Sequence, residues 1–306
     1  MKKVFLLVAL VLMAAQSFAV TTEADVEKTV VAIERYVYGH ESHGDLTFRL
    51  RQLEEDLLGR VTGQNNSDKA ASLNKLVFRG TSQTPSLDMR LSFLEWRLFG
   101  KTGKGNLATR ISRLDQFISG RTSREPLGFR VDQLVHMSIE DGLIEIRETV
   151  IPRDTEIVLR LAETISSQDA SRNDMVPMVI SDDLFLDENL LVLGEGAMVN
   201  AKVESVRRGG RFGRTGFINL GFDSVETMDS TPLPVRVANT GQSRFDRRTV
   251  GKAVGASTVG YVLLGPIGVA GAAFVRGEDI DVPEGTEVTV RVREDLKVRG
   301  VFIPQG

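Results

Sequence analysis

The chain has 306 residues, a formal net charge of −3, 26% charged residues and no cysteine. Balanced charge gives no global pull toward nucleic acid. The lack of cysteine excludes a disulfide scaffold, a cysteine nucleophile, thiolate metal sites and a lipidated N-terminal cysteine. The length fits two domains, and nothing covalent staples them, so apolar cores must hold each one.

Residues 1–19 carry the pattern of a secretory signal peptide. Lys2 and Lys3 precede the apolar run from Val4 to Ala15, and Ser17-Phe18-Ala19 places small residues before Val20. Cleavage there is expected; an uncleaved anchor is the alternative, although the run is short for a bilayer span. The expected location is therefore the periplasm or the outer membrane's surroundings.

Residues 20–140 are expected to form six helical units of about 20 residues. Apolar residues recur at spacing 4-3-4 in Val26/Val30/Ile33/Val37, Leu46/Leu50/Leu53/Leu57, Leu87/Leu91/Leu94/Leu98, Leu107/Ile111/Leu114/Ile118 and Leu127/Val131/Leu134, with a degenerate copy at Asn66/Ala70/Leu73/Val77. This spacing makes one stripe on a helix and fits no strand. Asp25, Asp45, Asn65, Ser86 and Asn106 stand before their blocks as N-caps, and Pro126 suits a first turn. Gly39, Gly59, Gly80, Gly100 and Gly120 stand where helix ends need a left-handed residue. Short helices of this kind need neighbours to hide their stripes.

Charge repeats in the same frame. Arg49, Lys69, Arg90, Arg110 and Arg130 lie three residues after their block starts, and Glu34, Glu54, Glu95 and Asp115 lie eight after. Five residues is about 140° of helical rotation, so cation and acid of one helix do not meet. Two readings stay open: a ladder of ion pairs between neighbouring units, or solvated faces beside the stripe.

Residues 141–306 change to period two. Leu143–Arg147, Glu156–Leu161, Ala197–Val203 and Glu287–Val292 read as strands. Pro152-x-x-Thr155-Glu156-Ile157-x-Leu159-Arg160-Leu161 matches Pro283-x-x-Thr286-Glu287-Val288-x-Val290-Arg291-Val292, and Gly194-Glu195-Gly196-Ala197 opens a looser copy. A turn starting at proline and feeding an alternating strand explains the first two. The fold class is thus α+β, with the helical array followed by a small antiparallel β-barrel or sandwich.

A Gly-rich apolar insert occupies residues 250–275, uncharged between Lys252 and Arg276, with Gly251, Gly255, Gly260, Gly265, Gly268 and Gly271. Small residues at such spacing allow close helix packing. A helical hairpin broken at Gly265-Pro266 is the expectation; a tilted membrane span and a buried strand-turn-strand are the alternatives.

Two resemblances follow from these motifs. The array resembles 20-residue helical repeats of exported bacterial envelope proteins of pattern L-x-x-R-L-x-x-L-E-x-x-L-F-G, which Leu87–Gly100 matches; this implies a stalk, spacer or binding surface. The segments Ile151–Thr155, Leu193–Ala197, Gly213-Arg214, Ile218–Val225 and Val282–Leu296, in that order around the Gly-rich insert, resemble the TrbI-like β-barrel domain of type IV secretion and conjugation channels. That resemblance implies a barrel with a helical-hairpin projection that assembles into an outer-membrane ring. In place of that family's cytoplasmic tail and proline-rich periplasmic segment stands the helical array.

Enzyme signatures are sparse. Gly100–Gly105 has a phosphate-loop composition, but Glu95 stands where the motif needs glycine. His40-Glu41-Ser42-His43 offers two imidazoles without a supporting partner. The carboxylates Asp182-Asp183, Asp187-Glu188 and Asp279/Asp281 read as turn acids. No cofactor, metal site or catalytic residue is assigned. The basic run Arg207, Arg208, Arg211 and Arg214, with Arg244, Arg247 and Arg248, is the candidate for anion or membrane binding; a solvated hairpin loop is the bland reading. The six glycines of the insert are the candidates for assembly. The expected role is an exported structural or binding protein of the envelope, partnered by itself, by envelope proteins or by anionic lipid, with nucleic acid disfavoured. The alternative is an envelope hydrolase with a carboxylate site.

Overall fold

The computed structural model describes residues 22–81, 83–187, 189–210, 215–238, 261–264 and 279–304. Six helices come first: α1 (Glu23–Tyr38), α2 (Leu46–Leu58), α3 (Asn66–Asn74), α4 (Leu87–Phe99), α5 (Leu107–Ser119) and α6 (Leu127–Ser138). Asp45, Asn65, Ser86 and Asn106 cap four of them, each accepting the amide three residues on. The first helix starts one turn earlier than its apolar block. Thr22 is its cap, and Asp25 reaches back from the third position to close a capping box. Gly39, Gly59, Gly100 and Gly120 end their helices in the left-handed conformation.

The stripes are the core. Val30, Ile33, Val37, Leu50, Leu53, Leu91, Leu94, Ile111 and Val131 are all fully buried. Beside them runs the ladder. Glu34 pairs with Arg49, Glu54 with Lys69, Glu95 with Arg110 and Asp115 with Arg130, each 15 residues apart. The Lys69 Nζ–Glu54 Oε2 and Arg110 Nη2–Glu95 Oε2 distances are both 2.7 Å, and no side chain of the four pairs is more than 8% exposed. Three of the acids also accept an amide eight residues on, from Thr62, Gly103 and Ser123, which folds the connector over the pair. The solvated-face reading does not survive this burial.

The ladder skips one rung. Unit three has Asn74 at the acidic position, and Arg90 turns to Asp132 of α6 instead. Unit three also holds one extra residue, and α3 runs on into a π-turn at Lys75–Arg79, the form a one-residue insertion takes inside a helix. After it the chain folds back: α1 packs on α3 and α5, and α2 packs on α6. Gly128 makes that closure possible, since a Cβ there would lie 2.7 Å from the Leu57 carbonyl oxygen. The six units therefore close into a bundle.

Antiparallel strands follow, curled into half-barrels. They are β1 (Ile146–Ile151), β2 (Glu156–Leu161), β3 (Ile165–Ser166), β4 (Met175–Ile180), β5 (Leu184–Leu186), β6 (Leu190–Leu193), β7 (Met198–Arg207), β8 (Phe217–Gly221), β9 (Ser224–Glu226), β10 (Pro232–Val237), β11 (Tyr261–Leu264), β12 (Asp281–Val282), β13 (Glu287–Val292) and β14 (Leu296–Phe302). One sheet runs β11-β8-β7-β4-β2-β13-β10-β9, a second runs β1-β14-β6-β5, and β12 pairs with β3.

The two matching segments pair with each other. In the register of β2 and β13, Glu156 faces Arg291 and Arg160 faces Glu287. The turn before each strand clasps the end of the other. Asp154 N donates to Val292 O and Val292 N to Thr155 O (2.9 and 3.0 Å), while Gly285 N donates to Leu161 O and Leu161 N to Thr286 O (both 2.9 Å). The looser copy at Gly194–Ala197 has its own mate at Ser171–Asp174. Gly196 clasps Ile180 at the end of β4, and Asn173 clasps Val203 in β7. The residue at the third turn position has positive φ in all four: Asp154 65°, Asn173 72°, Gly196 81° and Gly285 81°. One turn-strand unit thus occurs four times, in two mutually clasped pairs that sit side by side in the sheet.

Part of the Gly-rich insert is seen. Tyr261–Leu264 is strand β11, paired antiparallel with β8. A helical hairpin does not run through these four residues, which suits their β-branched and aromatic content. The rest of residues 250–275 lies outside the described residues. No helix among the described residues is long and apolar enough to cross a membrane.

If the rungs fix the helices as argued, Glu54→Gln should lower stability by about 3 kcal/mol, because Lys69 is left buried without its counter-charge. Glu55→Gln, on the exposed face of the same helix, should change it by less than about 0.5 kcal/mol. Urea denaturation of the two variants checks this.

Candidate functional site

The apolar core of the bundle reaches into the strands, most of which pack around a separate core of their own. Leu191 of β6, Val301 of β14 and Met228 are buried together with the helical stripes. Polar contacts frame the junction. Trp96 Nε1 donates to Asp183 at 2.8 Å, Thr102 N to Glu195 O at 2.8 Å and Ser230 Oγ to Asp88 Oδ2 at 2.8 Å. Arg299, at the strand side, donates to the carbonyl oxygens of Thr81 (2.9 Å) and Arg79.

Between these contacts lies a cleft of about 480 Å³, within the range of small-molecule sites. Its helical wall holds Tyr36 of α1, Asp88 and Ser92 of α4, and Arg110 of α5, with Phe78 from the π-turn. Its strand wall holds Met175, Met198, Asn200, Asp223, Glu226 and Met228. In the β4–β7 register Pro177 faces Asn200 and Val179 faces Met198, so Met175, Met198 and Asn200 stand on one sheet face.

The helical wall is fully engaged. Arg110 Nη2 donates to Glu95 (2.7 Å) and to Ser92 Oγ (2.8 Å), and Nη1 donates to the Tyr36 hydroxyl (3.1 Å) and to Asp88 (3.4 Å). Tyr36 OH in turn donates to Asp88. Burial, reinforced by the neighbouring Asp88 charge, holds the Tyr36 phenol well above its usual range. Burial alone would favour a neutral Arg110, but Tyr36, Glu95 and Asp88 outweigh it and keep the guanidinium charged.

The strand wall is not engaged. Neither Asp223 nor Glu226 has a side-chain hydrogen bond or ion pair among the described residues. Protein surrounds Glu226 although water reaches it, and this desolvation, with the Asp88 charge, raises its pKa above the ordinary 4.5; Arg79 opposes the shift. Asp88 comes from α4, while Asp223 and Glu226 flank and end β9, and no motif links the two regions. Asp223 falls in the Ile218–Val225 segment that carries the resemblance, but nothing in the sequence marked any of the three as a site residue.

The residues singled out from sequence fall elsewhere. Arg207 ends β7, stacks 4.6 Å over the Phe217 ring and donates to Thr215 O at 3.0 Å. Arg208 is exposed beside it, and Gly209 N donates to Asp279 at 2.7 Å, which ties the base of that hairpin. Arg211, Arg214, Arg244, Arg247 and Arg248 lie outside the described residues, as do Gly251, Gly255, Gly260, Gly265, Gly268 and Gly271. His40 stacks on Tyr38. Asp183 is a junction acceptor for Trp96 and for the Glu195 amide. The connector Gly100–Gly105 binds Glu195 and Glu95 through Thr102 and Gly103. Among the described residues no group of three or more histidine or acidic side chains is placed to hold a metal ion.

The chain matches no protein-family model, and comparison with curated proteins gives no significant match.

The raised pKa of Glu226 has a sign that can be measured. A folded-state value above the unfolded one means that ionisation costs the folded protein stability, so the cost is absent below about 4.5 and grows as pH rises through the raised value. Glu226→Gln should therefore raise Tm at neutral pH, with the gain vanishing as pH falls below 4.5. Calorimetric melts of both proteins across this range provide the check.

Proposed function

We propose that the protein is an exported structural and binding component of the bacterial cell envelope, in which the helical bundle holds the β region in a fixed orientation toward its partners. The observation that carries this reading is the continuous junction. A flexible spacer would need no shared core, whereas here Leu191, Met228 and Val301 sit in the helical core and Trp96, Thr102, Asp88 and Arg299 bond across it. The signal-peptide pattern and the resemblance of both regions to envelope proteins support the location. On the same reading the curled sheets belong to a closed barrel, the Gly-rich insert serves self-assembly, and Arg207, Arg208, Arg211, Arg214, Arg244, Arg247 and Arg248 meet anionic lipid.

The hydrolase reading has one observation in its favour, the electrostatic coupling of Asp88 and Glu226 in a cleft. Against it, Asp88 is consumed by Tyr36, Ser230 and Arg110, so it has little freedom to exchange a proton with a substrate.

Fractionation of cells, followed by the mass of the extracted protein, tests the structural role. The wild type should partition with the envelope and extract as an oligomer. Gly255→Leu and Gly268→Leu should reduce that mass toward the monomer without altering helical content. A soluble monomer in wild type would overturn the reading.

A further inference from the structure

We propose that the exposed face of α5, with the helix ends beside it, is a docking surface for an anionic lipid bilayer. Phe117 enters the apolar layer, and Arg113 and Arg121 meet the phosphates. Charge gives the first argument. From Arg97 to Arg124 the only acid is Asp115, which is buried against Arg130, while Arg110 is buried against Glu95. The surface charges left are Arg97, Lys101, Lys104, Arg113, Arg121 and Arg124. All are exposed, and none has an ion pair or side-chain hydrogen bond among the described residues. A chain of net charge −3 thus holds one stretch whose accessible charge is wholly positive.

Apolar side chains stand among these cations. Thr109, Arg113, Gln116 and Phe117 are exposed and share one side of α5, opposite its buried stripe. Arg113 precedes Phe117 by one turn, and Arg121 follows the Gly120 that ends the helix. Phe117 is 61% exposed, and its ring meets that of Phe99, at the end of α4, edge-on at 4.9 Å. Met137 holds the equivalent position in α6, 62% exposed, with its sulfur 3.9 Å from Ser119 Oγ. Phe99, Phe117 and Met137 therefore cross the ends of three neighbouring helices beside the cations. Cations alone would suit any polyanion. A phenylalanine standing out of a cationic helix face needs an apolar phase, and a bilayer supplies one without a shaped pocket. Arginine stems lie along the acyl boundary while their heads reach the phosphates. At 13 residues α5 lies along such a surface, being too short to cross it. This face belongs to the bundle and shares no residue with the Arg207 hairpin.

Flotation with vesicles of equal parts phosphatidylglycerol and phosphatidylcholine tests the proposal. The chain is taken from Val20, so that the apolar run from Val4 to Ala15 does not itself bind. Binding to these vesicles and not to pure phosphatidylcholine is expected, and it should weaken as salt is added. Arg113→Gln and Arg121→Gln should each reduce affinity about fivefold, the factor that ~1 kcal/mol corresponds to. Phe117→Ser should reduce it about tenfold. Phe117→Trp should retain it, with emission that moves to the blue on vesicles as the indole leaves water. Circular dichroism melts of all four should match wild type closely, since the positions are exposed. The same fold effects should appear when Arg207→Gln and Arg208→Gln are already present, which separates this face from the hairpin. No binding by wild type, or binding that the α5 variants leave unchanged, would overturn the proposal. So would binding weakened by the arginine variants alone with no blue shift, which would mark a site for a soluble polyanion.

Discussion

A buried carboxylate on one helix, answered by a cation 15 residues later on the next, sets the arrangement of the helical half. An apolar stripe alone leaves two short helices free to slide, because leucine packs on leucine in several registers. A buried charge has no such freedom, since any register that leaves it unpaired costs several kcal/mol. The rung Glu95–Arg110 does more than align α4 with α5. Glu95 also takes the Gly103 amide, whose connector binds Glu195, and Arg110 also holds Tyr36 and Asp88, which accepts from Ser230. One ion pair therefore links the bundle to the strand wall by two routes, and the cleft lies between them.

The β half solves a similar problem with backbone bonds. Each copy of the turn-strand unit ends by clasping the turn of its mate, so the two strands of a pair fix each other's register at both ends. No hairpin loop joins β2 to β13, whose nearest ends, Leu161 and Glu287, are separated by 125 intervening residues. The clasps supply what a short loop would otherwise provide.

The helical half was legible because its determinants are local and periodic. Stripe, cap, glycine and charge each repeat in one frame, and the 15-residue separation of acid and cation follows from positions eight and three of successive units. Closure of the bundle was not legible, since it depends on the one-residue insertion at Lys75–Arg79 and on Gly128, neither of which declares a direction. Among the strands, the two proline-led copies and the looser Gly194–Ala197 copy were visible, but the mate of that looser copy at Ser171–Asp174 was hidden by Asn173 doing the work of glycine at positive φ. The cleft could not be read at all, because Tyr36 and Asp88 meet the Asp223–Glu226 segment only through the tertiary fold. For Tyr261–Leu264, glycine spacing suggested helix, while the paired strand follows the local β-branched and aromatic content.

Bundle and strands are therefore one mechanical body, joined through the Glu95–Arg110 rung and the apolar junction behind it. Amide hydrogen exchange of wild type and Glu95→Gln tests that claim most directly. The account predicts that the variant loses protection in α4 and α5 and, to the same extent, at the junction amides Thr102, Met228 and Arg299, which bond to or beside the strand wall. Loss confined to the helices, with those three amides as protected as in wild type, would show two independent bodies and contradict it.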